Sequence, residues 1–448
     1  MIELTKEYIE HLREVIELKD ETAAVNMLQE LYPPDIAELF QELDLEEAIY
    51  LYMLMDGEKA ADVLMELDEE DRRKLLKELP SELIAKRFID FMETDDAVDL
   101  MRELDEDTQE EILSHIEDVE QAGDIVDLLK YDEDTAGGLM GTEMIVVNEN
   151  WSMPKCLEEM RSQAEEMDEI YYVYVVDDDE RLRGVLPLKK MITSPSVSKI
   201  KHVMKKDPIA VKDSDSIEEV AQTIEKYDLV ALPVIDSIGR LVGRITIDDV
   251  MDEVREQHER DYQLASGISQ DVETSDNVIL QTAARLPWLL IGMIGGLGNS
   301  VLLGGFESSF AANPKMALFI PLIGGTGGNV GIQSSAIVVQ GLANNSLKQG
   351  NVWKQIVKES AVSLINASII SLVVFIYNFF MLNNRAITAS VSLSLFAVVM
   401  FASIFGTLVP MTLDRFKIDP ALATGPFISI TNDIIGMMIY MFITAALS

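Results

Sequence analysis

The chain is poor in the residues that make cross-links. Cys156 is its one cysteine in 448 residues, so an intrachain disulfide is excluded. The four histidines (His11, His115, His202, His258) are scattered, and with a single cysteine they exclude a structural zinc site of the usual kind. Positive charge is also scarce: 36 bases stand against 78 acids, a formal net charge of −42. Phosphate recognition needs Lys and Arg, so nucleic acid and anionic lipid are excluded as partners of the acidic region, which suits solvent or multivalent cations. The opening stretch MIELTKEYIEHLREVIEL lacks the apolar run of a signal peptide and reads as a charged amphipathic helix, which leaves the first part of the chain in the cytoplasm. No nucleophile–base pair or metal triad is visible, so the chain is read as a non-enzyme.

The charge is unevenly placed. From Val278 onward there are five acids (Glu307, Glu359, Asp414, Asp419, Asp433) and eight bases, so that region is near +3. Upstream remain 73 acids and 28 bases, near −45. Two physically different halves are joined.

In the second half five apolar stretches run at about 286–305, 315–341, 360–382, 387–412 and 420–446, each long enough for the ~20 residues that a membrane-spanning helix needs. Lys348, Lys354 and Lys358 in the 342–359 loop, and Arg415 and Lys417 in the 413–419 loop, place both loops in the cytoplasm. Five spans then put Ser448 outside. Asp433 is the one carboxylate well inside an expected span, and counting ~1.5 Å per residue from Pro420 sets it roughly 20 Å into the membrane. At that depth an ionised carboxylate needs water, a cation or a partner, so Asp433 reads as a pathway residue, with a protonated packing acid as the alternative.

The second span contains PLIGGTGGNVGIQSS, from Pro321 to Ser335. Its glycines weaken a helix and expose backbone, which a membrane tolerates only against protein or a wet cavity. Asn329 and Gln333 stand four apart and share a face. A tight helix crossing is the alternative, and the missing lysine excludes a nucleotide loop. The fifth span opens with DPALATGPF from Asp419. Pro420 suits a helix start, and Pro426 is expected to kink the span and free carbonyls near its middle. Carbonyls and one Asp make an oxygen-lined site of the kind Mg²⁺ prefers. One Asp per chain is a weak site, and a twofold dimer supplies two.

In the first half, VVDDDERLRGVLPLKKMI from Val175 and VIDSIGRLVGRITIDDVM from Val234 repeat at an offset of 59 residues, with Asp177, Arg181 and Gly184 matching Asp236, Arg240 and Gly243. Each reads as strand, turn, strand and helix start. The pair resembles tandem CBS (cystathionine-β-synthase-type) domains over about 138–252. Such pairs commonly hold adenine nucleotides through Thr-x-x-Asp. The second repeat has Thr246 and Asp249 there, whereas the first has Pro187 and Lys190, so one nucleotide site is expected at most. Asp249 as a simple helix cap is the alternative. Residues 1–130 carry helical apolar spacing, an E-L-D pattern returning at Glu42, Glu66 and Glu103, and an acidic group at Asp95, Asp96 and Asp99. Stacked short helices are expected, with helix-dipole stabilisation or cation binding as two readings of that acidic group. From Ile247 a long charged helix and a looser link lead to the first span, either as a passive tether or as a transmitter of motion.

The order of helical bundle, CBS pair, connecting helix and five spans, together with GGTGGNVGIQ and DPALATGP…ND, resembles the MgtE family of magnesium channels. The fold expected is a multidomain α+β and all-α membrane architecture: a helical superhelix at 1–130, the CBS pair at 131–252, a connecting (plug) helix and linker at 253–284 and a five-helix transmembrane domain at 285–448. The resemblance implies a homodimer in membrane lipid with the pore between two membrane domains. In it Asp433 holds hydrated Mg²⁺, and Asn329 and Gln333 line the path. It implies a multi-pass protein of the cell (inner) membrane that serves magnesium homeostasis. Cytoplasmic Mg²⁺ closes the family's pore by bridging acidic faces, and the matching positions are Asp95, Asp99, Glu218, Asp228, Asp249, Asp252 and Asp419. ATP at Thr246 and Asp249 is implied to tune that response. Ile332 and Gly425 stand where better-known members have polar residues, and Gln257 and Arg260 stand where acids are expected. An ion-coupled carrier of Mg²⁺, Co²⁺ or Zn²⁺, and a non-conducting membrane-anchored nucleotide sensor, are the alternatives.

Overall fold

A computed structural model describes residues 4–164, 167, 170–270, 272, 277–343, 352–381, 384–423 and 425–447. Lys348, residues 273–276 of the link, Thr424 and Ser448 lie outside the described residues. The chain divides into two compact units, Met1–Arg255 and Glu256–Ser448.

In the first unit, ten α-helices of seven to twelve residues run from Lys6 to Leu128 among the described residues. Helices so short are marginal alone, so they depend on caps and on packing their apolar faces. The recurring E-L-D supplies the caps: Asp44, Asp68 and Asp105 are the N-cap residues of helices Leu45–Leu54, Glu69–Lys77 and Glu106–Leu113. Tyr52 packs between Phe40 and Phe88, with ring centroids 4.8 and 5.8 Å away. The core of the helical part is continuous with that of the second CBS repeat, through Val220, Leu232, Ile245 and Val250. The first repeat keeps a separate core around Val147, Cys156, Val175 and Leu186.

The two repeats are built alike. In the first, β1 (Ile145–Asn148) lies parallel to β2 (Val173–Val176), β3 (Leu182–Leu186) runs antiparallel to β2, and β4 (Lys205–Lys206) closes the sheet. In the second, β5 (Val211–Lys212) is parallel to β6 (Ala231–Ile235), and β7 (Leu241–Thr246) is antiparallel to β6. The sequence repeat is a repeat of register: Val175 pairs with Gly184, and Val234 pairs with Gly243. Asp177 and Asp236 each close the following turn by accepting backbone N–H groups, from Asp179 and Arg181 and from Ile238 and Arg240.

Among the described residues the second unit contains five long helices. Four are long and apolar enough to cross a membrane: Val278–Gly304, Trp353–Met381, Arg385–Arg415 and Gly425–Leu447. The glycine-rich helix, Ile320–Ala343, is 24 residues long and is second of the five in chain order, so that Val352–Met381 is the third; it packs on the fourth (Arg385–Arg415) and fifth (Gly425–Leu447). The third presents Ile365, Ile369, Leu372 and Ile376 on an exposed face, as lipid contact requires.

Two expectations about these helices are corrected. Lys354, Lys358 and Glu359 belong to the third helix, which spans Val352–Met381, and not to a 342–359 loop. Pro420–Ala423 form a 3₁₀ turn, and the fifth helix runs Gly425–Leu447, so Pro426 occupies its first turn. There its missing N–H breaks no helical bond, and no carbonyls are freed mid-span. Asp433 therefore sits eight residues, or ~12 Å, from the start of its helix.

Candidate functional site

Two groups of oxygen-bearing side chains stand out, one in each unit. In the membrane unit Asp433 projects from the fifth helix onto the glycine-rich helix. A β-carbon at Gly324 would lie 3.3 Å from its Oδ1, and one at Gly328 would lie 3.7 Å from the same atom and 3.1 Å from Ser429 Oγ. The glycines thus leave a polar notch in front of the carboxylate. Asn432 faces elsewhere, buried against Gly331, and its amide atoms find no partner among the described residues. Asn329 and Gln333 lie with Gly325 on an exposed face of the glycine-rich helix. An exposed amide stripe on a membrane helix calls for water or protein opposite, because lipid cannot satisfy it.

A second carboxylate of the membrane unit, counted in the sequence but given no role there, is also buried. Glu359 of the third helix is 8% exposed and accepts hydrogen bonds from Ser334 of the glycine-rich helix, at 2.7 Å, and from Ser403 of the fourth, at 2.6 Å. At the edge of an apolar run, beside two lysines, Glu359 looks like a loop residue, and no sequence signal distinguishes it.

The connecting helix, Ile247–Ala265, ends against the start of the fifth helix. Gly267, at φ +82, caps it in the left-handed region and donates its N–H to the carbonyl of Leu264. A β-carbon on Gly267 would meet Pro426 Cγ at 2.6 Å, and one on Gly425 would meet the carbonyl oxygen of Ala265 at 2.2 Å. Asp433 lies two turns along the same fifth helix. Asp419 is exposed and caps the 3₁₀ turn, accepting from the N–H of Ala421 at 2.7 Å.

In the first unit an acidic cluster forms where the helix Thr94–Arg102 meets the CBS pair. Carboxylate oxygens of Glu93, Asp95 and Glu143 lie within 4.8 Å of one another. Glu143 is fixed by the N–H and hydroxyl of Thr94, at 2.9 and 3.0 Å. Arg244, 5% exposed, donates to both oxygens of Glu93 at 2.9 and 2.8 Å and to the backbone carbonyl of Glu143. Gly141 pairs with Arg244 through two backbone hydrogen bonds of 2.9 Å and leaves the space in front of Asp95, where a β-carbon would stand 2.8 Å from Oδ2. Burial and then the charge of Asp249 raise Asp95 well above the ordinary carboxylate range. Asp96 is pushed up to about 7 by crowding protein and by Asp249, and Asp99 to about 6 by crowding that Arg102 partly offsets, although both keep solvent-exposed tips. Asp249 is raised by burial against two hydrogen bonds from Thr246, through its N–H and its hydroxyl. Asp252 faces Glu66, which burial and Asp252 raise in turn.

Arg244 pairs with Glu93 and Arg102 with Asp99, and these two arginines against so many carboxylates leave excess negative charge, a donor set that fits a hard, oxygen-seeking cation. The structure brings Asp95, Asp99 and Asp249 to one region. Glu218 and Asp228 stand at opposite ends of the helix Ile217–Tyr227, ~15 Å apart by helical rise, so they cannot share an ion within one chain. Glu93 and Glu143, absent from the sequence reading, are 50 positions apart, and tertiary packing alone joins them.

Residues 320–443 match the family model described as MgtE, a divalent cation transporter; residues 31–134 match the MgtE intracellular N domain, and 136–195 and 200–256 match the CBS domain. The magnesium transporter MgtE of Enterococcus faecalis is 33% identical over 321 residues, covering 72% of this chain and 71% of that protein. The chain belongs to the MgtE family of magnesium transporters. The MgtE of Thermus thermophilus is 33% identical over 316 residues, 70% of each chain. Among solved structures, the soluble part of a magnesium transporter superposes with TM-score 0.51 at 30% identity, covering 56% of this chain and 98% of that one. The cytosolic domain of the Mg²⁺ channel MgtE in complex with ATP gives 0.52 at 32% identity, covering 55% and 99%. In MgtE terms, the acidic cluster joins the N domain to the CBS pair, and Asp433 lies in the transporter region.

Proposed function

We propose that the chain is a homodimeric, Mg²⁺-selective channel closed by cytoplasmic Mg²⁺, with its N-terminal unit in the cytoplasm and its C-terminus outside. The observation that carries the reading is the Asp433 carboxylate set against Gly324 and Gly328 in a helix group with few other charges. A carboxylate in a glycine-walled notch attracts a divalent cation while leaving room for its tightly held water. Two copies place a pair of such carboxylates near one axis, and the exposed Asn329 and Gln333 face the hydrated ion there.

Closure is assigned to the acidic cluster. Without a cation, Asp95, Asp249 and their neighbours repel. Bound Mg²⁺ supplies charge that bridges Glu93, Asp95, Glu143 and Asp249, and so favours the compact arrangement. Asp99, Asp252, Glu218, Asp228 and Asp419 are assigned to further cation contacts, the exposed ones between copies. The connecting helix carries the difference to the fifth helix through Gly267 and Gly425. ATP at Thr246 and Asp249 modulates the response, following the ATP-bound relative.

The test is electrical recording from membrane patches containing the purified protein. Unitary currents carried by Mg²⁺ that fall silent when Mg²⁺ is raised on the cytoplasmic face are expected. Flux without unitary currents, driven by a counter-ion gradient, points to a carrier. Absence of any flux leaves the sensor alternative.

A further inference from the structure

Glu359 is not used by the transport reading above, yet it is a buried carboxylate in the membrane unit with no basic partner among the described residues. The third helix packs broadly on the fourth and hardly at all on the glycine-rich helix. Among the described residues, one carboxylate oxygen hydrogen-bonds it to the glycine-rich helix. Glu359 Oε1 accepts from Ser334 at 2.7 Å and from Ser403 at 2.6 Å, and the two serine oxygens stand 2.9 Å apart. All three side chains are buried, at 8%, 4% and 2% exposure.

We propose that Glu359 is a positioning residue of the transport path, holding the glycine-rich helix in place through Ser334. Three features support this. Ser334 follows Gln333 directly, and Asn329 lies five residues earlier, so the tie fixes the rotation of the helix that carries the exposed amide stripe. That helix is glycine-rich and therefore weak in its own right, so its position depends on outside contacts. A buried carboxylate without a base is costly, and an apolar residue would pack there more cheaply; its presence is explained by the specific geometry that its acceptor oxygen imposes on two hydroxyls. Ser403 anchors the same oxygen to the fourth helix, which gives the tie a rigid base.

The inference rests on the transport reading, and the experiment separates the two. Full-length protein is reconstituted in liposomes, and initial Mg²⁺ uptake is measured against Mg²⁺ concentration, with Ca²⁺ as competitor. Uptake by the unaltered chain is the reference; its absence contradicts the transport reading itself. Glu359→Leu and Ser334→Ala are expected to raise the half-saturating Mg²⁺ concentration about tenfold and to weaken discrimination against Ca²⁺, since each strips the tie to the glycine-rich helix. Glu359→Gln keeps an acceptor oxygen and should return half-saturation to within about twofold of the unaltered chain. Ser403→Ala leaves the Ser334 bond in place and should shift it less than Ser334→Ala. A merely structural role lowers maximal uptake through loss of folded protein, with half-saturation and selectivity unchanged. That pattern in folded Ser334→Ala protein, or a Glu359→Gln shift equal to that of Glu359→Leu, overturns the proposal.

Discussion

The Asp433 carboxylate lies so close to Gly324 that a β-carbon at that glycine would stand 3.3 Å from Oδ1. Such a contact is tighter than ordinary packing, so Gly324→Ala crowds the notch without removing the charge. Mg²⁺ uptake by Gly324→Ala is expected to fall by about an order of magnitude, the scale that ångström-level misplacement produces. Gly298 has open space around its would-be β-carbon, and Gly298→Ala should leave uptake unchanged. Liposome flux assays on the two variants check the contrast.

Arg244 is the base paired with Glu93 in the acidic cluster, at 2.8 Å. Arg244→Met should destabilise the Met1–Arg255 unit by about 2 kcal/mol, less than for a fully buried pair because Glu93 is 36% exposed. The same change leaves the carboxylates less compensated, so less Mg²⁺ should be needed to protect the unit from proteolysis. Thermal melting and limited proteolysis across a Mg²⁺ series measure the two opposite shifts.

Asp96 and Asp99 are raised to about 7 and about 6, and Asp95 and Asp249 are raised as well. A carboxylate whose value is higher folded than unfolded binds more protons when folded. Its stabilising contribution is therefore present below the ordinary carboxylate range and is lost as pH rises through the folded value. In chelator, the Met1–Arg255 unit should become less resistant to heat and protease as pH rises toward about 7. The exposed tips of Asp96 and Asp99 limit the size of the effect. Saturating Mg²⁺ should flatten the pH dependence, because the cation replaces protons; an equally steep dependence with Mg²⁺ contradicts the assignment.

Gly425 adopts φ +48 and faces the carbonyl oxygen of Ala265, 2.2 Å from where a β-carbon would stand. Gly425→Ala is both strained and obstructed, so the connecting helix must part from the fifth helix. Uptake should persist while its inhibition by cytoplasmic Mg²⁺ weakens at least several-fold, which patch recording with stepped Mg²⁺ would measure.

How far the amino-acid pattern foretells this molecule depends on whether a feature is local. The CBS repeat is readable because each copy writes its own strands and Asx turn, at Asp177 and again at Asp236. Asp433 is conspicuous because it interrupts an apolar run. The cluster of Glu93 and Glu143 is invisible in the linear chain, since the Gly141–Arg244 pairing brings them together. Glu359 is hidden by its lysine neighbours. Pro426 misleads because a proline breaks a helix only in its interior, and local composition does not say that the helix starts one residue before it.

The most direct test of the transport account is Mg²⁺ uptake into liposomes holding only this protein, compared with Asp433→Asn. The account predicts robust uptake by the unaltered chain and near-complete loss in a folded Asp433→Asn protein. Equal uptake by the two would contradict it.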